Sequence, residues 1–117
     1  MEITIIGTTS YQTKMIEHKN KLESKGHKVN IPAFDNLKHL DDIGVCEYNL
    51  GLIKKADEIH VFWDQRSVGT IFDFGMCFAL RKKIKIIYME TKTFRGLMEK
   101  YERKYAMEHN RALRGCK

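Results

Sequence analysis

The residues best suited to chemistry lie in one stretch, Asp64-Gln65-Arg66-Ser67-Val68-Gly69-Thr70-Ile71-Phe72-Asp73-Phe74-Gly75. Ser67, Gly69 and Thr70 lead into an apolar run that reads as a helix. The first amides of a helix lack intrahelical partners, so this is a phosphate cradle in outline. Arg66 can add positive charge to it. Asp73 is the sole acid in that helix. A carboxylate there can serve as nucleophile or general base. The spacing Thr70-x-x-Asp73 equally fits a capping box, in which Asp73 satisfies backbone amides. The helix terminus is expected to favour its ionised form. Asp64 can hold ribose hydroxyls or stand as a solvated turn residue. No Gly-Lys-Ser/Thr follows, so this is not a Walker loop.

A second loop, Gly7-Thr8-Thr9-Ser10-Tyr11, pairs a glycine that admits a close ligand with three hydroxyls. It suits an anion or a ribose, or is an ordinary strand-to-helix turn with a Ser/Thr cap. It lacks a Gly-x-Gly-x-x-Gly fingerprint.

These loops must be held by regular elements. Strands are predicted over residues 2–6, 28–31, 58–63 and 83–88, each short and rich in β-branched or aromatic residues. The first and last are mainly apolar, as for strands covered on both faces. Helices are predicted over 13–25, stopping at Gly26, from about 44 to 55, over 70–81, and from 93 to about 110. The third is apolar almost all round and is expected to be buried. The fourth carries Phe94, Leu97, Met98, Tyr101 and Tyr105 on one stripe, with a Glu99–Arg103 pair. Strict alternation implies right-handed βαβ crossovers. The expected fold is a single α/β domain over 1–117. Its parallel sheet is small and doubly wound (flavodoxin- or Rossmann-like), with four to five strands ordered 2-1-3-4 and helices on both faces. Ligands of such sheets bind beyond the strand carboxyl ends, at the switch point between strands 1 and 3. Both loops lie there.

The chain of 117 residues carries a net charge of +6. Residues 1–80 are net −2 and residues 81–117 net +8, so the charge belongs to the C-terminal third, with its basic helix and tail over about 93–117. No nucleic-acid recognition motif accompanies it, and a solvated basic helix face is its ordinary meaning. No apolar run is long enough for a bilayer span. The first residues lack the basic and apolar regions of a signal peptide. Cys46, Cys77 and Cys116 are odd in number and widely spaced, as for free thiols in the cytoplasm. The five histidines form no ligand pair, and neither metal nor cofactor is implied. A phosphoacceptor receiver domain would need paired acids after strand 1, where Gly7-Thr8 stands.

The run Ala56-Asp57-Glu58-Ile59-His60-Val61-Phe62-Trp63, then Ser67-x-Gly69-x-x-x-Asp73-x-Gly75, resembles the nucleoside 2-deoxyribosyltransferase superfamily. It is most similar to the branch holding small deoxynucleoside 5′-monophosphate N-glycosidases and their bacterial and phage relatives. Gly7-Thr8 fits that family's opening turn. The element order agrees over about residues 2–90, and the specific likeness lies in 44–83. The resemblance implies N-glycosidic bond hydrolysis or 2-deoxyribosyl transfer. A first-turn glutamate of the helix after strand 3 attacks the anomeric carbon there, by retaining two-step logic. That role falls on Asp73. Phosphate or sugar contacts fall on Ser67 and Gly69, with Arg66 and Thr70 beside them. Base and sugar contacts fall on Gly7, Thr8, Thr9 and Ser10, and Asp64 joins Asn49 in orienting the sugar. Three positions depart from the pattern: Asp73 is one methylene shorter than glutamate, Asn49 stands for a second carboxylate, and Ser10 stands for an arginine. The alternative is a non-catalytic binder, a sensor or sponge for a nucleotide-derived molecule on the same scaffold. The resemblance also implies a homodimer whose basic C-terminal segment, with Lys100, Arg103, Lys104, Arg111 or Arg114, lies near the neighbour's pocket.

Overall fold

A computed structural model describes residues 1–31, 39–90 and 93–115, with side chains up to residue 109. Four parallel strands, β1 (Glu2–Gly7), β2 (Lys28–Asn30), β3 (Glu58–Trp63) and β4 (Ile84–Met89), form one sheet in the expected order β2-β1-β3-β4. Between them run α1 (Gln12–Glu23), α2 (Asp42–Lys55) and α3 (Val68–Ala79), and α4 (Phe94–Gly115) follows β4. A short 3₁₀ turn, Thr9–Tyr11, precedes α1. Pro32, Cys116 and the side chains of Arg111 and Arg114 lie outside the described residues.

The period-two pattern of the strands sorts two cores. On one face Ile3, Ile5, Phe62 and Val29 pack with Tyr11, Met15 and Leu22 of the α1 segment. On the other Ile6, Ile59 and Val61 pack with Ile53 of α2 and Cys77 of α3. The chain reverses after α1 at Gly26, whose φ of 91° needs a residue without Cβ. The start of α2 lies two residues before its expected position. Asp41 is its N-cap and accepts the Gly44 amide at 2.7 Å.

Helices α3 and α4 and strand β4 depart from the sequence reading. Helix α3 spans 68–79 rather than 70–81, and it is not buried all round. Only Thr70 and Cys77 on it are buried, while Val68 is 78% and Phe78 62% exposed. Strand β4 is an edge strand whose α3-side residues Ile84, Ile86 and Met89 are exposed. The stripe on α4, which in sequence suits either a core or an interface, is not packed on the core among the described residues: every residue from 94 to 109 except Gly96 is exposed, and the chain measures 62 Å along its long axis. Glu99 pairs with Arg95 at 2.9 Å, not with Arg103.

Candidate functional site

Asp64 shapes the loop after β3. Its Oδ1 accepts the amides of Arg66 at 2.9 Å and Ser67 at 2.8 Å, and the residue is only 7% exposed. This Asx turn carries Gln65 through a left-handed φ of 62° and presents Ser67 as the N-cap of α3. The Ser67 hydroxyl accepts from the Thr70 amide at 3.4 Å and lies 3.1 Å from the Thr70 hydroxyl. Asp64 is therefore a buried loop-former and not a solvated turn residue. Gly69 sits in open space, where a Cβ would meet nothing within 4 Å. Arg66 is exposed beside it.

The capping-box reading of Asp73 does not hold. Thr70 is the third residue of α3, already inside the helix, and Asp73 is the sixth, about 7.5 Å along the axis from the first. Asp73 thus lies in the second turn, one turn deeper than the family pattern implied. The side chain of Asn49 on α2 lies beside its carboxylate and favours the charged form. Burial pushes its pKa from 3.8 up to about 6, and Asn49 only partly opposes this. The expected downward shift is instead an upward one, although the carboxyl stays mostly ionised at neutral pH. Helix-dipole effects fade within the first turn, whereas desolvation acts on the whole carboxyl.

Thr70, Asp73 and Cys77 share the inner stripe of α3, at i, i+3 and i+7. The Cys77 thiol is buried, and burial raises its pKa to about 11, as befits inert core. Asp73 and Asn49 meet above β1. With Thr4, Ile5, Ile6, Leu52 and Ile53 they enclose a cavity of ≈ 10 Å³, room for about one water. The two residues brought together by the resemblance are thus in contact, although 24 positions separate them.

The first loop meets this region at the switch point, since Gly7 of β1 pairs with Phe62 of β3. Its glycine also has an internal reason. A Cβ on Gly7 would lie 3.0 Å from the Phe62 Cβ and carbonyl oxygen and 3.1 Å from the Met15 sulfur, so glycine is needed for internal packing. Neither Thr8 nor Tyr11 caps the following turn with its side chain, and Thr9 and Ser10 are exposed.

Beside that loop lies a polar cluster that the sequence reading missed. Tyr11 is buried edge-on against Tyr88 at 5.1 Å between ring centres. The hydroxyls of both donate to Glu90 Oε2, at 3.4 and 3.2 Å, and Lys100 of α4 donates to Glu90 Oε1 at 2.8 Å. Lys14 lies over the Tyr88 ring at 4.8 Å. Burial, reinforced by the charges of Glu90 and Asp64, pushes the Tyr11 phenol up to about 12, so it remains a donor. Glu90 directly follows β4, and the rule that strand carboxyl ends line such sites is the signal that points to it. Lys100, expected near a neighbour's pocket, is here tied to the end of its own sheet. Trp63 is a pocket wall: with Val61, Thr70, Ile71, Phe74, Ile84 and Ile86 it lines an apolar cavity of ≈ 290 Å³ between α3 and β4.

No protein-family model matches the sequence, and no curated protein matches it. Among solved structures, the CMP N-glycosidase BcmB of Clostridium botulinum is similar, with a TM-score of 0.59 and 24% identity over 80% of this chain and 74% of that one. The likeness shows a shared fold, here the four-stranded parallel α/β sheet ordered β2-β1-β3-β4.

Proposed function

We propose that the chain cleaves or transfers at the N-glycosidic bond of a nucleotide or nucleoside. The observation that carries this reading is the partly buried Asp73 carboxyl beside Asn49, on the helix behind a serine-capped cradle, where burial pushes its pKa up to about 6. A pKa close to neutrality is common at sites where carboxylates work. The similar solved structure is that of a CMP N-glycosidase, which agrees with a nucleotide substrate. In this reading the ionised Asp73 attacks the anomeric carbon while the bond to the base breaks. The base leaves with the bonding electrons and takes a proton. Water or a second base then displaces Asp73 from the sugar. Asn49 orients the carboxylate. Ser67, Gly69, Thr70 and Arg66 hold a phosphate, Gly7 to Ser10 face the sugar and base, and Asp64 fixes the loop that carries the cradle. The chain acts in the cytoplasm, where its thiols stay reduced. The test is a panel of nucleoside monophosphates and deoxynucleosides read by chromatography for free base. Wild type releases base from at least one, and Asp73→Ala releases none. Full activity in Asp73→Ala overturns the reading.

One observation favours a second reading, a non-catalytic nucleotide binder. The cavity at Asp73 and Asn49 admits a water, not a sugar carbon, unless α2 and α3 part. Tight binding with the ligand recovered intact supports this reading over the first.

The exposed stripe of α4 and the open α3–β4 flank support a homodimer in which the C-terminal segment lies near the neighbour's pocket. Contiguous exposed apolar residues of this kind commonly mark an interaction surface. Light scattering coupled to gel filtration should report twice 13.8 kDa.

A further inference from the structure

On the α1 face of the sheet, three titratable side chains form a chain of hydrogen bonds. Glu58 and His60 lie two apart on β3, so both point to this face. Both are buried, at 7% and 4% exposure. His60 Nε2 is 2.8 Å from Glu58 Oε1. His60 Nδ1 is 2.7 Å from Nε2 of His18 on α1. His18 is half-buried and stands edge-on to Phe62 at 5.6 Å. Lys83, just before β4, reaches Glu58 Oε2 at 3.5 Å. Among the described residues, no group of three or more His, Cys, Asp or Glu is arranged to hold a metal ion. The 2.7 and 2.8 Å separations are those of hydrogen bonds.

Proton counting decides what the chain can do. The Glu58 carboxylate only accepts, so His60 Nε2 must carry a hydrogen. One hydrogen then lies between His60 Nδ1 and His18 Nε2. In the neutral state it belongs to His18, because His60 already carries its single hydrogen on Nε2. Adding one proton preserves both contacts: whichever ring is charged donates, and the neutral ring accepts. Adding a second places hydrogens on both nitrogens of a 2.7 Å contact, two donors facing each other between two cations. That contact cannot survive.

The surroundings set the direction of the response. His18 faces Lys21 and Lys25 of its own helix and Lys85 of β4, which is the register partner of His60. β1 offers only Ile3 and Ile5 to this layer. Burial above all, then the charges of His60, Lys21, Lys85 and Lys25, hold the His18 pKa below 6.5. The hydrogen bond from His60 holds Glu58 below the ordinary carboxyl range in spite of burial. A base whose folded pKa is lowered stabilises the fold least in acid. The loss begins as pH falls through the unfolded value near 6.5 and is complete below the folded value.

We infer that His18, His60 and Glu58 form a proton-operated latch between α1 and β3, closed with zero or one extra proton and opened by the second. Opening releases α1, whose N-terminal end joins the Thr8–Tyr11 turn of the switch-point loop. The latch is independent of the glycosidase reading.

The test is amide hydrogen exchange of the full chain between pH 7.5 and 4.5, corrected for intrinsic rates, in wild type and His18→Gln. Glutamine can donate to or accept from His60 Nδ1 by turning its amide, so it keeps the contact and removes one titration. Wild-type protection in α1 should fall about 10-fold or more on acidification relative to β1, the equivalent of one pH unit of linkage. In His18→Gln it should hold within about 2-fold. An equal fall in both proteins, or none in wild type, overturns the latch. Should His18→Gln fail to fold, ¹⁵N shifts of the wild-type imidazoles decide. Two coupled steps, with α1 protection lost on the second, support the latch; independent titrations of His18 and His60 overturn it.

Discussion

Replacing Asp73 with asparagine separates a strained functional carboxyl from a favourable helix-terminal charge. The carboxyl titrates near 3.8 in the unfolded chain and at about 6 in the folded one. The folded state therefore binds the proton more tightly. Stability supplied by this group is fully present below pH 3.8 and is lost as pH rises through 6. At ~1.4 kcal/mol per pH unit the gap sets a ceiling of about 3 kcal/mol. Partial contact with solvent reduces that to ~1–2 kcal/mol. Asparagine has nearly the same shape and can still present its carbonyl oxygen to Asn49, so the native geometry survives. Asp73→Asn should thus be more stable than wild type by ~1–2 kcal/mol at pH 7.5, a rise in Tm of about 4–12 °C for a domain of this size. The difference should shrink toward zero near pH 4. Thermal melts by circular dichroism across pH 4–8 measure it directly. A variant less stable than wild type at pH 7.5, or a difference independent of pH, would falsify the desolvation argument and restore the capping reading. The same variant should release no base, a gain in stability at the expense of activity.

The remaining predictions concern neighbours of this group and the outer flank. Asn49→Leu removes the amide that opposes burial, so carboxyl ¹³C titration should find Asp73 displaced further upward; no upward displacement contradicts the pairing. Gly7→Ala forces a Cβ to within 3.0 Å of Phe62, and should cost ~1–3 kcal/mol by denaturant melts. A neutral result would return Gly7 to the role of admitting a ligand. Leu97→Glu places a charge on the α4 stripe and should shift the scattering mass from twice 13.8 kDa to 13.8 kDa without changing the circular dichroism of the sheet. An unchanged mass removes α4 from the interface.

What the sequence made legible was whatever repeats at short range. Strand order followed from alternating elements, because βαβ units leave few topologies open. The loop from Asp64 to Thr70 was legible as a helix entry, because Ser67 before an apolar run is a cap signal. The work of Asp64 was not: its two amide contacts depend on the left-handed turn at Gln65, which no residue type there announces. Glu90 and Tyr11 escaped because their contact joins positions 79 apart, and His18 with His60 because theirs joins positions 42 apart. Periodicity within one element carries no record of either.

Helix α3 shows why composition misleads in a chain of this size. Its apolar count is a property of the residues, whereas burial is a property of what lies against them. Thr70, Asp73 and Cys77 are packed by α2 and β1, and the two polar members sit on this inner stripe. Ile71, Phe74 and Phe78 are the more hydrophobic set, yet they face outward past an edge strand that is itself exposed. A four-stranded sheet has two edges and too few helices to cover both. The apolar run on α3 therefore divides: its inner stripe packs against the sheet, and its outer residues are exposed among the described residues. The pKa of Asp73 is raised on the packed side.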